Sequence, residues 1–344
     1  MRIIIVGFGT VGRTFARIVH QKKREILKLY GFEPNIVAAV DSGGAAVNHS
    51  GLDIEELLDL KKAGRSVATY PKGGKPGMTG MDVIEEVEAD TVVEATPTRI
   101  IDGEPGLAHI QAALRRKRHV IATNKGPLAI ALPALMELAD YKNVALRFSG
   151  TVGAGTPVLD FGKKCLLGDR ILSIRGILNG TTNYILTRMT EGGAGMEEAL
   201  KEAQQAGYAE ADPAYDIEGI DTACKLVILA NWLMGKNITI KDVDVQGITG
   251  VTQKRVAGAK AKDRVVKLIG AIEERAWVRP TVIDANHPLA VNGTLNAVSF
   301  NAEYAGEITM VGKGAGGVET AGAVLRDLID IRRSVFETQG GRML

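Results

Sequence analysis

The chain reads as an α/β protein: a doubly wound parallel sheet, followed by an α+β domain carrying an open sheet. Three observations predict this. Short β-branched runs alternate with helix-like stretches over the first 150 residues. A G-x-G-x-x-G turn, Gly7-Phe8-Gly9-Thr10-Val11-Gly12, joins the first strand to the first helix. Late in the chain four strand-like runs, at 265–273, 276–283, 297–304 and 307–311, follow one another as one open sheet. With 344 residues, two domains are expected. We place a nucleotide-binding domain at residues 1–150, completed by a returning segment at 312–344, and a second domain at 151–311.

Composition narrows the function class. The chain is 45% hydrophobic and 24% charged with a net charge of +2, as in an ordinary globular protein. No Lys/Arg block with interleaved aromatics suggests a nucleic-acid surface. No apolar run reaches the roughly 20 residues needed to span a membrane. The only cysteines, Cys165 and Cys224, lack metal-ligand spacing and could form at most one bridge. A reduced, cytoplasmic setting is the expectation.

Arg2–Val6 reads as a buried strand and Arg13–Leu29 as the helix after the turn. Between them the Rossmann-type fingerprint assigns roles: Gly7 for the tight turn, Gly9 for approach of a pyrophosphate, Gly12 for close helix–strand packing. The free N–H groups of that helix end would face the phosphates. A second strand, Ile36–Val40, ends at Asp41, an acid placed to bind ribose hydroxyls and so to favour NAD. Lys61, Lys62, Lys72 and Lys75 follow; any that folds back could meet a 2′-phosphate, although solvated surface lysines are the simpler reading. Residues 72–80 read as a loop.

Further strands are expected at Thr91–Ala95, running into Thr96, at His119–Ala122, running into Lys125, and at Val144–Phe148. Helices fall at Gly106–Lys117 and Leu128–Tyr141. Thr96 and Lys125 stand at strand C-terminal ends, where such sheets bind ligands. The loop 149–157 could hold a cation on its carbonyls. A helix is expected over Val158–Leu167 and a strand over Ile171–Leu178. Then comes a polar loop, Asn179-Gly180-Thr181-Thr182-Asn183, suited to a substrate. Helices at Tyr184–Met189 and Met196–Gln205 precede strands at Val265–Glu273, Ala276–Ile283, Ala297–Tyr304 and Glu307–Val311. A second glycine-rich turn, with Gly314 and Gly316, leads into a helix at Val318–Arg332. Glu337–Leu344 is expected to fray.

The richest stretch is Gly207–Lys225, GYAEADPAYDIEGIDTACK. It holds Glu210, Asp212, Asp216, Glu218 and Asp221 ahead of Lys225. Ile220–Met234 has no Pro or Gly and is apolar on every face, so it predicts a buried helix. Lys225 on such a helix needs a partner, and Asp221 lies one turn before it. An exposed salt bridge would be the plain reading of that pair alone. The upstream acids favour a site instead: a lysine that transfers a proton, and carboxylates that hold an ammonium-bearing ligand.

With these residues in view, the chain resembles homoserine dehydrogenases, through GFGTVG at 7–12, TNK at 123–125, GTVGAGTP at 150–157, GILNGTTNYIL at 176–186, the stretch 207–225 and KGAGGVET at 313–320. The resemblance implies NAD(P)-dependent interconversion of homoserine and aspartate 4-semialdehyde, with NADP or NAD as cofactor. It implies Lys225, Lys125, Asp221 and Asp216 as catalytic residues. It implies Glu210, Asp221, Asn179, Gly180 and Thr181 as substrate contacts. Cofactor contacts would come from Gly7, Phe8, Gly9, Thr10, Val11, Gly12, Asp41, Thr96, Lys125, Gly207, Gly314 and Gly316. Relatives with a sodium site imply ligands at the carbonyls of Val152, Ala154 and Thr156, but their glutamate is matched here by Ser149. A homodimer through the second sheet is implied, and neither an ACT regulatory domain nor a fused kinase is expected. Aspartate-semialdehyde dehydrogenase would need a nucleophilic cysteine with a histidine, and neither cysteine has one nearby in sequence. A non-enzymatic NAD(P) sensor would leave the acid-rich stretch without a purpose.

Overall fold

The structure is a computed structural model that describes residues 1–338. It forms two compact units: Met1–Thr151 joined by the segment from Gly317, and Val152–Gly316. Each is described by itself.

In the first unit, β1 (Arg2–Val6) leads through the glycine turn into α1 (Thr10–Tyr30). Then follow β2 (Asn35–Asp41), β3 (Gly44–Val47), α2 (Ile54–Lys62), β4 (Gly74–Pro76), α3 (Gly80–Glu86) and β5 (Thr91–Glu94). Next come α4 (Gly106–Arg115), β6 (His119–Ala122), α5 (Lys125–Tyr141) and β7 (Leu146–Arg147). The sheet order is β4-β3-β2-β1-β5-β6-β7. From β2 to β7 the pairs are parallel, whereas β3 and β4 form an antiparallel edge. Register aligns Val40, Val6, Glu94 and Ala122 in one row across the strand C-terminal ends. Everything just beyond that row therefore lines one crevice, at the point where strand order reverses.

The second unit begins with a single turn, α6 (Val158–Asp160), then β8 (Ile171–Ile177), α7 (Gly180–Glu191), α8 (Met196–Gln205), α9 (Ala214–Ile217) and α10 (Ile220–Met234). It continues with β9 (Val243–Val245), α11 (Gln253–Lys260), β10 (Arg264–Ile272), β11 (Ala276–Asp284), β12 (Leu295–Ala302) and β13 (Gly306–Lys313). Its sheet runs β13-β12-β8-β10-β11-β9, antiparallel except for the β11–β9 pair. α10 is buried from Asp221 to Ala230. It packs so closely on the sheet that a Cβ at Gly270 would lie 2.9 Å from the Thr222 side chain.

The chain then re-enters the first unit as α12 (Gly317–Thr338). Ala321, Val324, Leu328 and Ile331 of α12 join the core made by Phe15, Val19 and Ile26 of α1. Buried Asp327 accepts from the Ser149 backbone N–H at 2.9 Å and from its hydroxyl at 2.5 Å.

Four expectations differ from the structure. Residues 158–167 are not one α-helix: a π-helical turn, Phe161–Cys165, follows α6. The widened turn brings Gly162 against Leu233, where a Cβ would sit 2.6 Å from a methyl. Residues 72–80 are not all loop, because β4 pairs with β3 there. Residues 179–183 are not a loop either: Asn179 caps α7 and the next four residues are helical. Glu337 and Thr338 belong to α12, and the rest of the expected frayed tail lies outside the described residues.

Lys267, on β10, is 1% exposed. Its Nζ donates to Val291 O at 2.7 Å, Asn183 Oδ1 at 2.9 Å, and Thr187 Oγ1 and Asn292 Oδ1 at 3.2 Å. These acceptors are all neutral, so burial dominates and lowers its pKa to about 8 against a weaker opposing pull from Glu191. The unfolded chain thus binds more protons between that value and the ordinary lysine pKa. Stability from this group rises with pH across the window, by up to about 3 kcal/mol. Urea unfolding from pH 8 to 10 should show this slope in the wild type relative to Lys267→Met; equal slopes would contradict it.

Candidate active site

The second unit gathers its chemistry where β8 ends and α10 begins. Lys225 is 6% exposed and Asp221 8%. The Lys225 ammonium donates to Asp221 Oδ2 at 2.6 Å and to the Leu178 carbonyl at 2.6 Å. An ammonium has three N–H donors, so one remains for a ligand. Leu178 is the last residue before Asn179, and Asn179 closes the cluster. Its Nδ2 donates to Asp216 Oδ1 at 2.6 Å and to Asp221 Oδ2 at 2.9 Å, while its Oδ1 accepts from the Thr182 N–H at 2.9 Å as the cap of α7. One amide therefore fixes a helix start and bridges two carboxylates.

Of the expected residues, Lys225, Asp221, Asp216 and Asn179 are brought together. Gly180 opens α7, and Thr181 donates to the Tyr208 carbonyl at 2.7 Å, tying α7 to the acid-rich stretch. Glu210 is exposed and its backbone carbonyl, not its carboxylate, accepts from Gln204 at 3.1 Å. Gly207 is exposed with a φ of 74°. Gly314 and Gly316 follow β13; a Cβ on Gly314 would lie 1.8 Å from the buried Asn296 amide.

The candidate cation loop offers only neutral oxygens. It is held as a turn by Thr156 N–H donating to Gly153 O at 2.7 Å and Val158 N–H to Thr156 O at 2.8 Å, with Ala154 at a φ of 39°. Val152 and Ala154 are buried. Ser149 is committed to Asp327. No group of three His, Cys, Asp or Glu side chains among the described residues could hold a metal. A carbonyl set of this kind fits a monovalent cation better than a divalent one.

In the first unit the glycine turn has the shape a pyrophosphate needs. A Cβ at Gly7 would strike Ala95 O at 2.4 Å, and one at Gly12 would strike Gly7 O at 2.3 Å. At Gly9 nothing lies within 4 Å, so that face is open to a ligand. Gly9 caps α1 without a side-chain bond, leaving the N–H groups of the first turn, from Thr10 and Val11, toward that face. Phe8 points into the core, 1% exposed.

Asp41 is already engaged. Its carboxylate accepts from Lys61 Nζ and Ser66 Oγ, each at 2.6 Å, and from the Gly43 and Val67 N–H groups at 3.0 Å. Burial raises its pKa, but these hydrogen bonds outweigh that and hold it below the usual value. Lys61 thus folds back onto Asp41, which sequence spacing alone could not decide.

Thr96 and Asn124 lie just past the C-terminal row. Asn124 Oδ1 accepts from the Gly126 N–H at 3.1 Å, capping the helix whose first residue is Lys125. Its Nδ2 donates to Thr96 Oγ1 at 3.2 Å and to Pro97 O at 3.3 Å. Beneath them Glu94, 0% exposed, accepts from Thr96 through both its N–H and its hydroxyl. Sequence reasoning passed over Glu94; an acid closing the otherwise apolar run Thr91-Val92-Val93-Glu94-Ala95 was the available signal.

The cluster around Asn179 makes a stability prediction. Asn179→Ala should lose about 1–2 kcal/mol by uncapping α7, a loss that remains at low pH where the carboxyls are protonated. Asn179→Asp keeps the cap but sets a third carboxyl against Asp216 and Asp221. That raises its folded-state pKa, so its stability falls as pH rises from about 4. Thermal unfolding at several pH values would contradict the bridge if the two variants behaved alike.

Comparison with known proteins gives the family. The homoserine dehydrogenase family model matches residues 157–329, and a Glutamate/Leucine/Phenylalanine/Valine dehydrogenase model matches residues 1–114. A homoserine dehydrogenase of Methanocaldococcus jannaschii is 46% identical, covering 97% of this chain and 99% of its own length. An NAD(+)-dependent homoserine dehydrogenase of Pseudomonas canavaninivorans is 40% identical, covering 98% of each. The solved structure of a hyperthermophilic archaeal homoserine dehydrogenase in complex with NADPH superposes with a TM-score of 0.85 at 29% identity, over 97% of this chain and 98% of that one. The buried lysine–aspartate cluster, the open glycine turn and similarity along almost the full length converge on one conclusion: the chain belongs to the homoserine dehydrogenase family.

Proposed function

We propose that the protein oxidises homoserine to aspartate 4-semialdehyde, and reduces the semialdehyde, by hydride transfer with NAD or NADP. The observation that carries this reading is the buried Lys225, held by Asp221 and the Leu178 carbonyl with one donor left over. NAD(P), when bound, supplies or accepts the hydride. The chain's own residues handle the proton. In reduction, Lys225 donates to the oxygen of the former aldehyde; in oxidation it takes the hydroxyl proton back. Asp221 orients the ammonium, and Asn179 holds Asp221 and Asp216 in register. Asp216 and Glu210 are the acids assigned to the substrate's ammonium, with Gly180 and Thr181 shaping the same pocket. Lys125 is assigned as a second cation that polarises the carbonyl oxygen.

The cofactor reading rests on Gly7, Gly9 and Gly12, with Phe8, Thr10, Val11, Asp41 and Thr96 in the first unit. Gly207, Gly314 and Gly316 are assigned as further cofactor contacts. Asp41 would favour NAD, but its pairing with Lys61 offsets its charge, so both cofactors are expected to work. Val152, Ala154 and Thr156 would hold a sodium ion through main-chain carbonyls, and no step of the reaction is assigned to it. Among the described residues no helix is long and apolar enough to cross a membrane. We place the enzyme in the cytoplasm as a homodimer, the open second sheet being the surface to cover.

Homoserine-dependent reduction of NAD and of NADP, followed by nicotinamide absorbance, tests this directly. Turnover with at least one is expected. Cofactor binding without any turnover would instead favour a sensor. Lys125→Ala should lower kcat by roughly 100-fold or more in protein that remains folded; normal turnover would remove Lys125 from the mechanism.

A further inference from the structure

The Glu94–Thr96–Asn124 network has a fixed hydrogen-bond polarity. Thr96 N–H can only donate, and it points at Glu94 Oε1 at 3.2 Å. That oxygen is therefore an acceptor, and because a carboxylate can only accept, the Thr96 hydroxyl, bonded to the same atom, gives its single proton to it. On the other side Asn124 is equally constrained. Its Oδ1 faces the Gly126 N–H, an obligate donor, and its Nδ2 faces the Pro97 carbonyl, an obligate acceptor. The Asn124 group that reaches Thr96 Oγ1 at 3.2 Å is thus an N–H. Thr96 Oγ1 has spent its proton on Glu94 and one lone pair on Asn124. What it has left is one lone pair, and Thr96 is only partly buried. Toward a ligand it is an acceptor and never a donor.

Glu94 is only partly satisfied where it sits. It is 0% exposed, and its Oε2 has no hydrogen-bond partner among the described residues. The Nδ1 of His109 stands 3.6 Å from Oε1, beyond hydrogen-bond range, and is itself unpartnered. Burying a carboxyl so incompletely satisfied costs stability. In a dinucleotide fold, the strands on the β1–β2 side take one nucleotide and those on the β5–β6 side take the other. Asp41 marks the adenosine half, so Thr96 and Asn124 belong to the nicotinamide half.

We propose that Glu94 is a positioning residue that makes Thr96 an acceptor-only group for the amide N–H of the nicotinamide carboxamide. The network thereby selects a ring carrying a carboxamide over one carrying a carbonyl without the NH₂. This rests on the NAD(P)-dependent reading above.

The test is the ratio of dissociation constants for NAD(P) and its 3-acetylpyridine analogue, in which a methyl group replaces the carboxamide NH₂. The wild type should prefer the carboxamide. Thr96→Val and Glu94→Met should each shrink that preference by roughly five- to tenfold. Glu94→Gln should restore it, because the glutamine carbonyl can accept both Thr96 bonds; a charge-based role predicts no such rescue, and a role in packing alone predicts no change of the ratio in Thr96→Val. Should Glu94→Met fail to fold, Thr96→Val still decides, since its side chain keeps the same volume. Tight dinucleotide binding with an unchanged preference in Thr96→Val would overturn the inference alone. No dinucleotide binding by the wild type would overturn it together with the function on which it rests.

Discussion

One burial problem organises the second unit: an ammonium group placed on a helix that is apolar all round. Lys225 cannot stay charged there without acceptors, because an unpaired buried charge costs several kcal/mol. The chain supplies two, the Asp221 carboxylate one turn earlier on α10 and the Leu178 carbonyl at the end of β8. The second acceptor requires β8 to end against α10. It also places the next residue, Asn179, within reach of Asp221 and Asp216. Strand end, helix cap and acid pair thus follow from one lysine, and the group that must be held still for folding is the one suited to passing a proton.

The first unit solves a different problem. A pyrophosphate needs backbone N–H groups with no side chain in front of them. Packing around Gly7 and Gly12 leaves no room for a Cβ, whereas Gly9 faces open space. The same three glycines therefore separate close packing from ligand access. Two carboxylates flank that turn with opposite habits. Asp41 is saturated by Lys61, Ser66 and two backbone groups, whereas Glu94 is half-satisfied and spends its bonds on Thr96. Saturation silences a charge; partial satisfaction passes polarity on to a neighbour.

Much of the design could be read from the chain before the fold was known, where it depended on local spacing. The G-x-G-x-x-G turn and the i,i+4 pair of Asp221 and Lys225 each lie within six residues of chain, so spacing and position identify them. What stayed hidden depended on contacts distant in sequence. Asn179 read as a loop residue although its cap on the Thr182 N–H is local; the two carboxylates it bridges, Asp216 and Asp221, lie 37 and 42 residues away. Lys267 sits in a strand whose alternation gave no sign that four acceptors from α7 and residues 291–292 would surround it. β4 was concealed by glycine and proline, which suit an antiparallel edge but read as loop. The π-helical turn exists to seat Gly162 on Leu233, a tertiary demand that no local preference announces.

The proton role of Lys225 is tested most directly by single-turnover reduction of aspartate 4-semialdehyde in Lys225→Met, with reduced cofactor prebound and substrate affinity measured in parallel. Loss of the chemical step by roughly 100- to 10,000-fold, with cofactor binding intact, is the expected result. A hydride-transfer rate equal to the wild type would show that the proton comes from elsewhere and that the buried ammonium serves the fold alone.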